Sequence, residues 1–257
     1  SRKRKLDDGQ IVELEGKDAL EYAIECGKAA GKWITEELLH KPQDLEYEKT
    51  FYPFIIPSKK RYIGDKYEFD TDSCKRTSMG IVTKRRDNAP IVKHVFGNVI
   101  EKIMIDKDLD RTVDWLKQTL VDIRDGKFTM RNFIITKSLR GYYKNPRGIA
   151  HKVLADRMGE RDPGNKPKPG DRMPFAYRVL EEHLLKDKDK KYKSGPRKGQ
   201  FRDLKVLQGD RIEDPDYIQK NNLDLDYEFY ITNQIMNPVK QVLDLEMDAG
   251  ETELLFK

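Results

Sequence analysis

The stretch LEYEKTFYPFIIPSKKRYIG, Leu45 to Gly64, constrains this chain more than any other. Aromatic and β-branched residues dominate Leu45 to Ile56, the composition of a buried strand. Pro53 inside it requires an edge or a bend, because proline cannot donate to a strand ladder. Ser58, Lys59, Lys60 and Arg61 interrupt the apolar run, and Arg61 to Phe69 is strand-like again. Two such runs about a PSKKRYIGD connection predict a β-hairpin with consecutive cations at its tip. Those cations have two readings. They form a solvated turn, or they meet phosphate, with the lysines as point charges, arginine as a fork and the Tyr62 hydroxyl as a donor. In LEYEK, strand alternation would put Glu46 and Glu48 on one face. Such a pair holds a divalent cation, supports residues that do, or faces water.

The rest of the chain organises around this hairpin. Leu20, Ile24, Gly27, Gly31, Ile34 and Leu38 recur at helical spacing, so Gly16 to about Leu39 is a helix that Pro42 stops. Asp7, Asp8 and Gly9 mark a turn before it. Pro90 to Asp106 and Asp110 to Arg124 predict amphipathic helices, the second capped by Asp110. Phe133 to Ser138 is a short extended segment, Asn145-Pro146 starts a helix through Met158, and Met173 to Leu180 is compatible with a strand. DPGNKPKPGDR, residues 162–172, holds three prolines and two glycines and predicts irregular chain. KDKDKKYKSGPRKGQFRDLK, residues 186–205, is basic and of low complexity and predicts a loop rather than a folded element. Pro215 opens a short helix, and Tyr227 to Leu245 a longer one bent at Pro238. The fold class is α+β: a sheet with one helix, then a mainly helical part, with the boundary between residues 70 and 80.

Charge narrows the function. Lys137 to Lys205 carries 20 Lys or Arg against 9 Asp or Glu, while the remainder of the 257 residues has a net charge of −6. A basic block in an otherwise acidic chain fits a polyanion partner as well as a solvated surface. Within it, TKSLRGYYKNPRGIAHKVLADRM (136–158) mixes cations with Tyr142, Tyr143 and His151, a combination suited to nucleic-acid backbone. KRRD, Lys84 to Asp87, precedes a helix start, where Arg85 and Arg86 could share a phosphate with free amides or Asp87 could cap the helix. Cys26 and Cys74 lie far apart and lack metal-ligand spacing, which argues against a zinc or iron–sulfur site. No stretch approaches the roughly 20 apolar residues of a membrane span. No P-loop, GxSxG or HExxH occurs, so the residues alone give no reaction.

Six segments in order carry a resemblance: LEYEKTFYPFIIPSKKRYIG, SMGIVTKRRDNAPIVK, ITKSL, AHKVLADRMGERDPGNKPKPGDRMPF, EDPDYI and YEFYITNQIMNP. Together they resemble the C-terminal part of a family B DNA polymerase, of the delta type and its relatives in large DNA viruses, from about Gly16 to Pro238. The resemblance implies that residues 1–75 are the last part of the palm and 76–257 the thumb, with 186–205 an inserted basic loop. It implies DNA contacts by Lys59, Lys60, Arg61, Tyr62, Arg85, Arg86, His151 and Arg157, the last two within an H-x-x-L-A-x-R pattern. Glu48 would be an auxiliary carboxylate beside the metal site. The family's catalytic aspartates, in a DxxSLYPS-like element and in YGDTDS, and its nucleotide-binding lysine helix precede LEYEK in family order. Here those elements do not precede it. The resemblance therefore implies Mg²⁺ and deoxynucleoside triphosphates handled mainly by an upstream polymerase portion, on the same or a separate chain. This chain alone would be inactive. Primer–template DNA is the implied partner, with a sliding clamp a further one, and the compartment stays open between the nucleus and a viral replication site. The alternative is a stand-alone, non-catalytic duplex-binding protein derived from a thumb.

Overall fold

The computed structural model describes residues 3–5, 9–82, 88–180, 186–191, 193–196, 198–203 and 206–256. The chain divides into two compact units, Ser1–Ile81 and Val82–Lys257. Both mix helices with small antiparallel sheets, as an α+β chain should.

In the first unit, β1 (Lys3–Lys5) and β2 (Ile11–Glu13) form a short ribbon ahead of helix α1 (Gly16–Glu37). The helix buries Leu20, Ile24 and Gly31 of the face that the apolar spacing predicts, with Gly27 and Ile34 half-buried and Leu38, just past its end, exposed. Gly31 is needed there because the chain at Leu45 to Tyr47 lies directly on the helix. A Cβ at position 31 would stand 2.9 Å from the Leu45 carbonyl oxygen. The Thr35 hydroxyl completes the contact, accepting from the Leu45 N–H at 2.8 Å and donating to its carbonyl at 3.2 Å. This docking overturns the expectation that LEYEK is a strand. Its backbone groups are drawn to the helix, and the strand begins only at Thr50. From there β3 (Thr50–Ser58), β4 (Arg61–Tyr67) and β5 (Lys75–Met79) form an antiparallel sheet in that order. β3 is an edge strand, and its register with β4 shifts across Tyr52-Pro53, where proline can be accommodated.

In the second unit, α2 (Pro90–Ile105) and α3 (Leu109–Arg124) pack together. Helix α2 buries Val92, Val95, Phe96 and Val99, and α3 buries Leu116, Leu120 and Ile123. The N-cap of α3 is Asp108, whose carboxylate accepts from the Arg111 N–H at 3.0 Å; Asp110 sits inside the first turn. β6 (Ile135–Ser138), β7 (Arg172–Tyr177) and β10 (Ile212–Glu213) form a second sheet with β7 central. Helix α4 (Ala150–Arg161) follows a single 3₁₀ turn at Pro146–Gly148. The 186–205 region is not a loop throughout. β8 (Lys186–Lys191) pairs antiparallel with β9 (Phe201–Asp203), and Gly195 and Gly199 adopt φ values of +83° and +86° between the two strands. Low complexity in side-chain type did not prevent the backbone from pairing, because glycines supply the reversal.

The C-terminal part places α5 (Pro215–Lys220) before a continuous helical run: α6 (Tyr227–Phe229), a π-helical turn at Tyr230–Ile235 and α7 (Met236–Leu243). The irregularity expected at Pro238 is thus a widened turn just before it, where the ladder adjusts to a residue with no N–H. Helix α8 (Ala249–Leu254) closes the unit. The π turn carries Tyr230, fully buried among Phe133, Tyr177 and Phe229. Its hydroxyl accepts from the Tyr177 N–H at 2.9 Å and donates to the Phe133 carbonyl at 2.6 Å. Burial holds the phenol above its ordinary pKa, so it remains a donor at any working pH. Tyr230→Phe would orphan two buried backbone groups and cost about 2 kcal/mol. The expected result is a lower midpoint of urea unfolding at unchanged slope; an unmoved midpoint would show that the hydroxyl is dispensable.

Candidate nucleic-acid interface

The tip of the β3–β4 hairpin is a tight reversal. Ser58 pairs with Arg61, leaving Lys59 and Lys60 as the turn. Lys60 sits in the left-handed region, with φ +61°, a conformation that costs a lysine about 1 kcal/mol or more. Lys59, Lys60 and Arg61 are exposed, and Tyr62 is half-buried. The Tyr62 ring packs against Phe54 at 5.5 Å and Phe51 at 5.8 Å, while Phe51 and Phe54 stack at 4.7 Å. The register shift at Tyr52-Pro53 lets residues three apart on β3 meet in this way. Farther along, Asp65 and Arg76 face each other across β4 and β5 as a two-point ion pair, with Arg76 Nη2 2.9 Å from Asp65 Oδ2. The structure thus brings Lys59, Lys60, Arg61 and Tyr62 to one end of a braced sheet, with the aromatic ring as the anchor of the cationic tip.

The carboxylates behave differently from the strand expectation. Glu46 and Glu48 lie on the segment docked to α1, and both are exposed. The Glu48 side chain is 78% exposed and pairs with Lys49, whose ammonium it holds above the ordinary pKa. A further acidic motif escaped the sequence reading: Asp70-Thr71-Asp72-Ser73 repeats the core of YGDTDS, but after the basic hairpin instead of before it. Here it is a turn. Asp70 Oδ1 accepts from the N–H groups of Asp72 at 3.0 Å and Ser73 at 3.3 Å, and Asp72 pairs with Lys17 at 2.9 Å. Among the described residues no group of three or more His, Cys, Asp or Glu could hold a metal ion. Arg85, Arg86 and Asp87 lie outside the described residues. The helix that follows starts at N-cap Ala89, which makes no side-chain cap bond.

In the second unit the basic segment after β6 forms an ordered loop. Leu139 donates to the Asp171 carbonyl at 2.9 Å and accepts from Gly170 at 2.8 Å, so the loops after β6 and before β7 leave the same end of the sheet. Lys137, Arg140, Lys144, Arg147, Lys168 and Arg172 are exposed on these loops and strand ends. Tyr142 is 81% exposed beside them. His151 is half-buried, its Nε2 3.1 Å from the Tyr143 hydroxyl, which accepts from the Arg140 N–H at 2.7 Å. Burial, with the nearby Lys137 and Arg140, pulls the His151 pKa below its ordinary value. The hydrogen bond between His151 Nε2 and the Tyr143 hydroxyl ties the start of α4 to the loop after β6. Arg157 is committed inward: its guanidinium donates to the carbonyls of Gly209 and Ile212, and Nε lies 3.3 Å from Glu213. Glu213 is only 1% exposed and also takes two hydrogen bonds from Arg161, at 3.1 and 2.9 Å. The DNA-facing role that the resemblance implies for Arg157 is at odds with this geometry, because a buried carboxylate demands a paired cation.

The chain matches the family model described as DNA polymerase family B over residues 8–245. It is 47% identical over 234 residues to a DNA polymerase of Pyramimonas orientalis virus, covering 91% of this chain and 18% of that relative. To a DNA polymerase of Acanthamoeba polyphaga mimivirus it is 44% identical over 251 residues, 98% of this chain and 13% of the relative. To the DNA polymerase delta catalytic subunit of Glycine max it is 30% identical over 254 residues, 97% of this chain and 21% of the relative. The chain therefore spans about a fifth or less of the length of these curated relatives.

Because the folded pKa of His151 is depressed below about 6.5, the unfolded chain takes up its proton first on acidification. The stability that neutral His151 contributes is present above that value and is lost as pH falls through the lower folded pKa. Urea midpoints measured between about pH 7.5 and about pH 5 should fall more steeply for the native chain than for His151→Gln. Parallel curves would remove His151 from the loop's pH response.

Proposed function

Because the chain belongs to DNA polymerase family B, we propose that it is the last part of the palm and the thumb of a template-directed replicative DNA polymerase of the large-DNA-virus type. In this reading the first unit contributes the end of the palm, and the second is the thumb that grips primer–template duplex. The observation that carries it is the hairpin tip, where Lys59, Lys60 and Arg61 stand exposed on a sheet stiffened by the Tyr62 cluster and the Asp65–Arg76 pair. Cations held on a rigid support meet phosphates with little loss of freedom on binding. The exposed cations and Tyr142 at the end of the β6–β7 sheet supply a second patch suited to backbone contact.

The reading gives catalysis to sequence beyond this chain. Two-metal nucleotidyl transfer needs clustered carboxylates, and the donor set described here does not fit: Glu48 is paired with Lys49, and Asp70 and Asp72 are engaged by backbone N–H groups and Lys17. The chain's own contribution is to hold and orient the duplex for nucleotide addition. Nucleotide incorporation is expected only when a polymerase portion with the palm aspartates is supplied.

The test is primer–template affinity across a salt series. Each phosphate contact contributes about 0.9 to the slope of log K against log salt, so a Lys59→Ala, Lys60→Ala, Arg61→Ala variant should lose between about two and about three in slope. Its unfolding midpoint should move only slightly, within the range of surface substitutions, since all three residues are exposed. An unchanged slope would overturn the assignment of the hairpin to DNA.

A further inference from the structure

We propose that Gly80 is a positioning residue for the basic hairpin, fixing the direction in which Lys60 and Arg61 are presented; this rests on the reading of that hairpin as a DNA contact. Strand β5 ends beside the tip, where Met79 pairs with Tyr62. The next residue, Gly80, has φ +64° and lies against the turn. A Cβ built there would stand 2.3 Å from the Lys60 carbonyl oxygen, 3.4 Å from its carbonyl carbon and 3.2 Å from Arg61 Cγ. The first distance is far inside van der Waals contact. The obstructing atom is backbone, so it cannot swing aside as the end of a long side chain would.

Two left-handed residues therefore face each other, Lys60 at φ +61° and Gly80 at φ +64°. Lysine is disfavoured in that conformation, whereas asparagine or glycine would hold it at lower cost. The turn thus keeps a charged side chain at a strained position, and close packing of Gly80 on its carbonyl restricts how the strain can relax. Rotation of the Lys60 peptide would turn the Lys60 and Arg61 side chains together. The remaining supports lie elsewhere: the aromatic contacts of Tyr62 with Phe51 and Phe54, and the Asp65–Arg76 pair. A change at Gly80 should accordingly disturb the tip and spare the sheet.

The experiment is a mutant cycle on the chain as it stands, read by fluorescence anisotropy with a primer–template duplex, with thermal unfolding as the control. Gly80→Ala should weaken binding by about tenfold at 0.1 M salt, roughly the worth of one phosphate contact. Gly80→Asn tolerates positive φ but still carries a Cβ, so it should weaken binding similarly and separates steric contact from backbone preference. In a Lys60→Ala, Arg61→Ala background, Gly80→Ala should add nothing, because its effect passes through those side chains. Additive losses would overturn the proposal, as would native affinity in both Gly80 variants. Loss of the unfolding transition in both would also overturn it, by showing that Gly80 serves the fold at large. If Lys60→Ala, Arg61→Ala binds DNA as the native chain does, the hairpin reading itself fails, an outcome distinct from failure of Gly80 alone.

Discussion

The second unit depends on one buried hydroxyl. Tyr230 joins Phe133, at the end of a 3₁₀ turn over Met130–Phe133, the central strand at Tyr177 and the π-helical turn to which it belongs. An unpaired backbone group in an apolar interior is costly, and a single O–H satisfies a donor and an acceptor there. The surrounding rings, with Tyr177 and Phe229 stacked at 3.6 Å, exclude the water that could replace it. The widened turn before Pro238 is part of the same arrangement, since it carries Tyr230 into this cluster. The Glu213 network ties α4 to β10 by a related principle, the buried carboxylate being held between the guanidinium groups of Arg157 and Arg161.

The first unit uses close backbone approach. Chain at Leu45 settles on α1 where Gly31 leaves room, and the turn at Lys60 meets β5 where Gly80 leaves room. The consequence is a rigid base and a charged end. The base is held by aromatic contacts and a cross-strand ion pair, and the end carries cations that gain little from one another. Such a division suits a surface that must bind a polyanion without rearranging.

Much of this was legible in the sequence. The α1 stripe, the hairpin about SKKR, the helices starting at Pro90 and Pro215 and the short strand before Ser138 follow from periodicity and from proline and glycine chemistry. Other features depended on competition that a one-dimensional pattern does not contain. LEYEK has strand composition, but Thr35 and the Gly31 groove capture its backbone. Asp110 and Asp108 are both capping residues by type, and the start of the helix selects Asp108. The 186–205 segment lacks the apolar alternation that usually signals a strand, yet its backbone pairs.

The candidate site divides in the same way. Sequence by itself determined the family and the basic hairpin, because ordered motifs and local turn chemistry survive without knowledge of the fold. Tertiary structure decided what each charge faces. It turned Arg157 toward Glu213, set His151 against Tyr143, closed Asp70 and Asp72 into a turn and put Gly80 against the carbonyl of Lys60. The physical reason is that a side chain's role depends on its dielectric surroundings and its partners, and these are set by residues distant in sequence that only folding brings into contact.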